Sequence, residues 1–265
     1  MRIGIYQLQP VFGDTESNLK KIENKLKAGG FDLVVLPELC TTGYQFVSRE
    51  EALSLCEPVP DGPATRAWTE CCRKTGCYLV AGLGERDGDV CYNSAVLVGP
   101  DGFIGKYRKT HLFYEEKKWF APGDTGFRVW NAGPARLGLM ICFDWRFPEA
   151  ARSLALQGAD IICHPANLVQ PFCQDAMVTR CIENRIFTVT ANRIGEERRS
   201  GSRGFAFTGG SQIVTPAGDR LFRMNEAEEA LRVVDINPSE ARDKMVTEAN
   251  HLFRDRRPEF YMTNN

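Results

Sequence analysis

No two of the ten cysteines in this chain are spaced as CxxC, and its three histidines, His111, His164 and His251, lie far apart in sequence. These absences exclude zinc-ribbon spacing and the thioredoxin-like redox motif, and no metal site is expected. An excess of charge of one sign is also missing: 33 Lys and Arg face 34 Asp and Glu, a net charge of −1. A chain so balanced lacks the basic stripe that nucleic acid or an anionic membrane would require, so the expected partner is a small, neutral or weakly charged molecule. Long apolar runs are absent as well. The opening Met1-Arg2-Ile3-Gly4-Ile5-Tyr6-Gln7 is interrupted by polar groups before Pro10, too early for a signal peptide core or a membrane span. A soluble, cytoplasmic protein with reduced thiols is expected. No repeat or low-complexity linker divides the 265 residues, so a single domain over 1–265 is expected, and 43% hydrophobic content allows a core without disulfide staples.

Strand-like and helix-like segments alternate along the chain. Residues 2–8 read as a strand, Asp14 to about Ala28 as a helix capped by Asp14 or Thr15, and 31–36 as a strand. Asp61-Gly62-Pro63 opens a second helix reaching about Lys74, and 77–83 is again apolar. A meander over 90–98 and 103–107 turns at Gly99-Pro100-Asp101-Gly102. Strand 135–142, helix 148–157 closed by Gly158, and strand 159–163 follow, with further strands near 186–190, 211–214 and 231–235. The pattern specifies α/β or α+β. Gly82-Leu83-Gly84-Glu85-Arg86-Asp87-Gly88 comes near a dinucleotide fingerprint, but its last spacing is one residue too long and no helix opens there, so it reads as a surface turn.

Three strand ends carry reactive groups. The apolar run Ala135–Ile141 delivers Cys142 to a strand-to-helix turn, where backbone N–H groups and a helix dipole favour negative charge. Strand-borne cysteines are commonly small buried hydrophobes, so the thiol gains meaning from its company. Leu33-Val34-Val35-Leu36-Pro37 runs into Glu38, and Phe103-Ile104-Gly105-Lys106-Tyr107-Arg108 runs into Lys109.

With Leu36-Pro37-Glu38, Tyr107-Arg108-Lys109-Thr110-His111-Leu112-Phe113 and Gly138-Leu139-Met140-Ile141-Cys142-Phe143-Asp144 in this order, the whole chain resembles the nitrilase superfamily of carbon–nitrogen hydrolases. The resemblance implies a four-layer α-β-β-α sandwich, a Glu38-Lys109-Cys142 triad, and no metal or organic cofactor. Cys142 would be the nucleophile, Glu38 the general base, and Lys109 with the Phe143 N–H the oxyanion donors. Glu116 matches a second glutamate found in many members and would order Lys109 and the substrate amide; otherwise it belongs to a solvated face with Glu115. Tyr44 resembles a pocket-lining aromatic in relatives, with a core tyrosine as the alternative reading. Asn167, just past a strand, is in reach of the cleft, while His164 reads as structural. Asp144 and Glu149 read as complements to a helix dipole. Arg146 resembles an arginine in relatives acting on ω-amides of dicarboxylic acids, although an arginine that opens a helix is also commonly structural. Nitrile-cleaving members tend to read Cys-Trp-Glu where this chain has Cys142-Phe143-Asp144, so a small amide is the expected substrate, with a nitrile or an N-carbamoyl amine as alternatives. Relatives assemble beside the helix after the cysteine. A homodimer or higher oligomer is therefore expected, meeting through helices near 148–157 and 172–185 and a tail, 247–265, rich in aromatics and arginine.

Overall fold

The computed structural model describes residues 1–199 and 204–261. In chain order the first half comprises β1 (Arg2–Gln7), α1 (Thr15–Leu26), β2 (Leu33–Val35), α2 (Arg49–Leu55), α3 (Pro63–Thr75), β3 (Tyr78–Asp87), β4 (Val90–Gly99), β5 (Gly102–Arg108) and α4 (Glu116–Trp119). The second half comprises β6 (Val129–Ala132), β7 (Ala135–Leu139), α5 (Pro148–Leu156), β8 (Ile161–Ala166), α6 (Cys173–Asn184), β9 (Phe187–Asn192), β10 (Glu196–Glu197), β11 (Phe205–Ala206), β12 (Gln212–Val214), β13 (Arg220–Arg223) and β14 (Ala230–Asp235). Two six-stranded sheets result, ordered β14-β1-β2-β3-β4-β5 and β13-β12-β9-β8-β7-β6.

The period of two explains the layering. Ile3 and Ile5 of β1, Leu33 and Val35 of β2, and Val80 of β3 point into one core with Leu137, Leu139, Ile161, Cys163 and Val189 of the other sheet. The intervening Tyr6, Val34, Leu79 and Ala81 point the other way, onto Ile22 and Leu26 of α1 and Trp68 and Cys72 of α3. Strands covered on both faces read as continuous apolar runs, as parallel strands must. On the far side, Leu154 of α5 packs so closely on β7 that a Cβ at Gly138 would meet it at 3.0 Å. The α-β-β-α sandwich is thus built by side chains that alternate between an intersheet core and two helical covers.

Helix ends follow their local chemistry. Asp14 accepts the Ser17 N–H to cap α1, and α3 starts at Pro63 and stops at Gly76, whose φ is +73°. Two sequence expectations need correction. The strand expected over 135–142 ends at Leu139, because the chain must turn to present Cys142. Residues 82–87 are not a surface turn but the middle and end of β3, with only Gly88 in the turn. Gly82 and Gly84 are there for close approach: a Cβ on Gly82 would lie 2.4 Å from the Glu38 Cα, and one on Gly84 would lie 2.6 Å from the Cys56 sulfur. The short elements α2, α4, β6, β10, β11 and β13 were not evident in the sequence pattern.

β1, β2 and β3 are mutually parallel, and two antiparallel steps through β4 return β5 to the same direction. β7, β8 and β9 are likewise parallel to one another. The carboxyl ends of β2 and β5 therefore open at one edge of their sheet, and those of β7 and β8 at one edge of the other. Among the described residues no helix is long and apolar enough to cross a membrane.

Candidate active site

Past β7 the backbone enters a single 3₁₀ turn, Cys142–Arg146, with Cys142 at φ +40°. A non-glycine residue in that region is strained and persists only where its surroundings hold it. Here the holding groups are visible. The Asp144 carboxylate accepts the Ile141 N–H at 2.8 Å, the Tyr107 hydroxyl at 2.8 Å and His111 Nδ1–H at 2.7 Å. His164 Nε2 lies 2.9 Å from the Cys142 carbonyl oxygen, which can only accept, so Nε2 carries the proton. Burial holds His164 down to about 4, so it is a neutral, fixed donor. Asp144 is accordingly more than a complement to a helix dipole: it ties the Cys142 turn to the strand end that carries Lys109.

Glu38 follows Pro37 at the end of β2, and its backbone is wedged against Gly82. Lys109 follows β5; its N–H donates to the Asn93 carbonyl and its own carbonyl accepts from Gly123. The Lys109 ammonium, with no exposed side-chain surface, donates to Glu38 Oε1 at 2.7 Å and to Glu116 Oε1 at 2.8 Å. Asn93 Nδ2 adds a bond to Glu38 Oε1 at 2.6 Å, and the Tyr44 hydroxyl adds one to Glu116 Oε1 at 2.7 Å. Among the described residues, the second oxygens of both glutamates, Glu38 Oε2 and Glu116 Oε2, are buried and have no partner.

The charges do not behave alike. Burial works against the Lys109 cation, but Glu116 and Glu38 outweigh it and hold the ammonium above its ordinary range. Burial pushes Glu116 up to about 7, with Lys109 opposing and Glu38 adding to the rise. The Cys142 thiol is raised well above its ordinary value, by burial first and by Glu38 next, against the pull of Lys109 and the Asn167 backbone N–H. Whatever the turn offers an anion, burial wins in the resting state. The sulfur rests as a thiol, and chemistry at it requires a neighbouring base.

Cys142 opens onto a cleft lined by Phe113, Phe143, Trp145, Asn167, Leu168, Val169 and Gln170. Of the other sequence candidates, Phe143 and Asn167 are in this lining, and Tyr44 stands behind Glu116. Arg146 is outside the lining: its side chain is exposed and its guanidinium lies 5.3 Å from the Trp145 ring centre. Several supporting residues escaped the sequence reading. Asn93 was detectable as a polar residue, followed by Ser94, inside an otherwise apolar strand. Buried Glu197 accepts the N–H groups of Tyr44, at 3.1 Å, and Gln45, at 2.7 Å, and pairs with buried Arg193. Nothing local in Glu196-Glu197-Arg198 marks that role.

Residues 2–244 match the signature of the carbon-nitrogen hydrolase family. A nitrilase from Pyrococcus abyssi is 48% identical over 98% of this chain and 99% of its own length. An (R)-stereoselective amidase from a Pseudomonas species is 35% identical over 89% of this chain and 85% of its own length. Among solved structures, a glutamate-to-glutamine variant of the amidase from Nesterenkonia sp. AN1, showing acrylamide added to the active-site cysteine, superposes with a TM-score of 0.77 at 28% identity, covering 92% of this chain and 96% of that one. A strand-end thiol, a buried lysine gripping two glutamates and a family match over nearly the full length agree: this chain is a member of the carbon–nitrogen hydrolase family.

Proposed function

We propose that this enzyme hydrolyses the C–N bond of a small amide through an acyl-thioester on Cys142. The observation that carries the reading is the buried Lys109 ammonium bonded to both Glu38 and Glu116 beside a strained, protonated thiol. Glu38 takes the Sγ proton as sulfur attacks the carbonyl carbon. The resulting oxyanion is stabilised by Lys109 Nζ and the Phe143 N–H. As the C–N bond breaks, Glu38 passes that proton to the leaving nitrogen and ammonia departs. Water then attacks the thioester; Glu38 removes its proton and returns it to sulfur, releasing the carboxylic acid. Glu116, tied to Tyr44, keeps Lys109 in place, and no metal or organic cofactor takes part. Ammonia release from a panel of short amides, nitriles and N-carbamoyl amines tests this: wild type should release it from amides and Cys142→Ala should not. Near-normal turnover by the variant overturns the mechanism.

Nitrile hydrolysis by the same thiol is the second reading, supported by the 48% identical relative named a nitrilase. Attack on a nitrile gives a thioimidate that the same residues can resolve, so the panel ranks the two. We further assign the enzyme to a reducing, cytoplasmic setting, in keeping with ten free cysteines. Its assembly is a homodimer. Exposed Leu156, Phe172 and Ile182 on and beside α5 and α6, with Phe260 and Tyr261 in the tail, supply apolar surface for it. Phe253 packs instead on its own chain, against Arg152 and Lys244; residues 262–265 of the expected tail lie outside the described residues. Sedimentation at micromolar concentration should give twice the chain mass, and a monomer contradicts the assembly. A chain truncated after Thr247 that still dimerised would confine the interface to the helices.

A further inference from the structure

From the lining of the Cys142 cleft we infer that the enzyme selects amides with an uncharged, apolar acyl group, oriented by one hydrogen-bonding anchor, the Asn167 side chain. The inference rests on the proposed amide chemistry and adds its substrate class. Phe113, Phe143, Trp145 and Val169 form the wall, and among the described residues no charged side chain lines it. Cations around the cleft are engaged elsewhere: Arg180 donates to the Trp145 carbonyl and pairs with Glu183. Arg146 is exposed, its guanidinium 5.3 Å from the Trp145 ring centre, and Lys117 lines a second hollow that meets the cleft at Phe143. The floor beneath the thiol holds one ammonium between two carboxyls, so it offers an anionic substrate no net cation. A carboxylate or ammonium on the acyl chain would enter this wall without a partner, at the cost of its hydration.

The lining has two carboxamides, Asn167 and Gln170; Gln170 is exposed and Asn167 is buried. Asn167 is 2% exposed, yet neither its Nδ2 nor its Oδ1 has a hydrogen-bond partner among the described residues. A buried carboxamide left unpaired is costly, and one that faces the nucleophile's cleft is satisfied when a substrate brings the complementary groups. A primary amide, carrying both N–H donors and a carbonyl acceptor, supplies them. Asn167 follows β8, whose register against β9 fixes Ala166 opposite Asn192, so the anchor sits on the rigid sheet edge.

Three amides of similar length separate the possibilities: hexanamide, glutaramate and 5-aminopentanamide, compared by kcat/KM for ammonia release. Hexanamide should exceed both charged compounds by roughly a hundredfold, the scale of an uncompensated buried charge. Asn167→Leu should raise KM for hexanamide by about tenfold, the scale of a lost hydrogen bond. Its Tm should not fall, because no described residue bonds the carboxamide. Preference for either charged amide, or an unchanged KM in Asn167→Leu, overturns the inference while leaving amide hydrolysis standing. A lower Tm with unchanged KM would make Asn167 structural. No ammonia from any of the three, together with no acrylamide adduct on Cys142, would instead defeat the proposed function itself.

Discussion

Arg108 and Lys109 are consecutive residues, yet the clusters they anchor are built on opposite principles. Arg108 bonds Glu85, Asp87 and Asp124, and its guanidinium carbon lies 3.7 Å from the Tyr92 ring centre. Lys106 and Ser94 complete the set around Glu85, leaving neither carboxylate oxygen of that residue without a donor. Lys109 points into the opposite face, where Glu38 and Glu116 each receive their bonds on a single oxygen and keep the other free. The electrostatics diverge accordingly. Burial raises Glu85, but its bonds to Arg108 and Lys106 outweigh it and hold the carboxyl below the usual range, while Glu116 ends up at about 7. A saturated network fixes structure. A network with spare acceptors in a buried site retains capacity for a proton and a substrate.

The largest effects should come from exchanging the roles of the two clusters. Lys109→Ala and Glu38→Gln should each lower kcat/KM by about a thousandfold or more, with the far-ultraviolet circular dichroism unchanged. Arg108→Ala should do the reverse, costing about 3 kcal/mol of stability because Glu85 is left buried without its main partner. Folded Arg108→Ala protein should retain most of its turnover, and denaturant titration alongside kinetics checks both halves. If Arg108→Ala were the more damaging to turnover of folded protein, the division would fail.

Next in size is a pH effect. Glu116 binds its proton more tightly in the folded state, near 7 against an ordinary 4.5. That contribution to stability is therefore fully present below about 4.5 and is lost as pH rises through about 7. Glu116→Gln should remove this slope, seen as a flatter Tm profile between pH 4.5 and 7 than in wild type. An unchanged profile would mean that Glu116 ionises normally. Smallest of all, exhaustive chelation under reducing conditions should leave activity unaltered; a loss restored by zinc would show a metal requirement that the triad does not explain.

The contrast also shows how far the sequence could be read. That Glu38, Lys109 and Cys142 lie just past strands was legible because strand ends are marked by local signals, such as Pro37 and the basic run from Lys106. The opposite facing of Arg108 and Lys109 follows from the strand period alone. The partners were harder. Asn93 with Glu38, His111 with Asp144, and Glu197 with Tyr44 act across tens to more than a hundred residues, and no local rule specifies such pairings. Glu116 was found by resemblance; its four-residue helix gives no periodic pattern. Asn167 was placed near the cleft from its strand, but its lack of partners appears only once the surrounding side chains are in position.

We propose that the Lys109 cluster and the thiol form one chemical unit. A double-variant cycle on kcat/KM for amide hydrolysis, comparing Glu38→Gln, Cys142→Ala and the combined chain, tests it most directly. The combined variant should be about as slow as Cys142→Ala alone, because a base with no thiol to serve has nothing left to lose. A further drop equal to the full Glu38→Gln effect would mean that the two residues act independently, and would contradict the shared site.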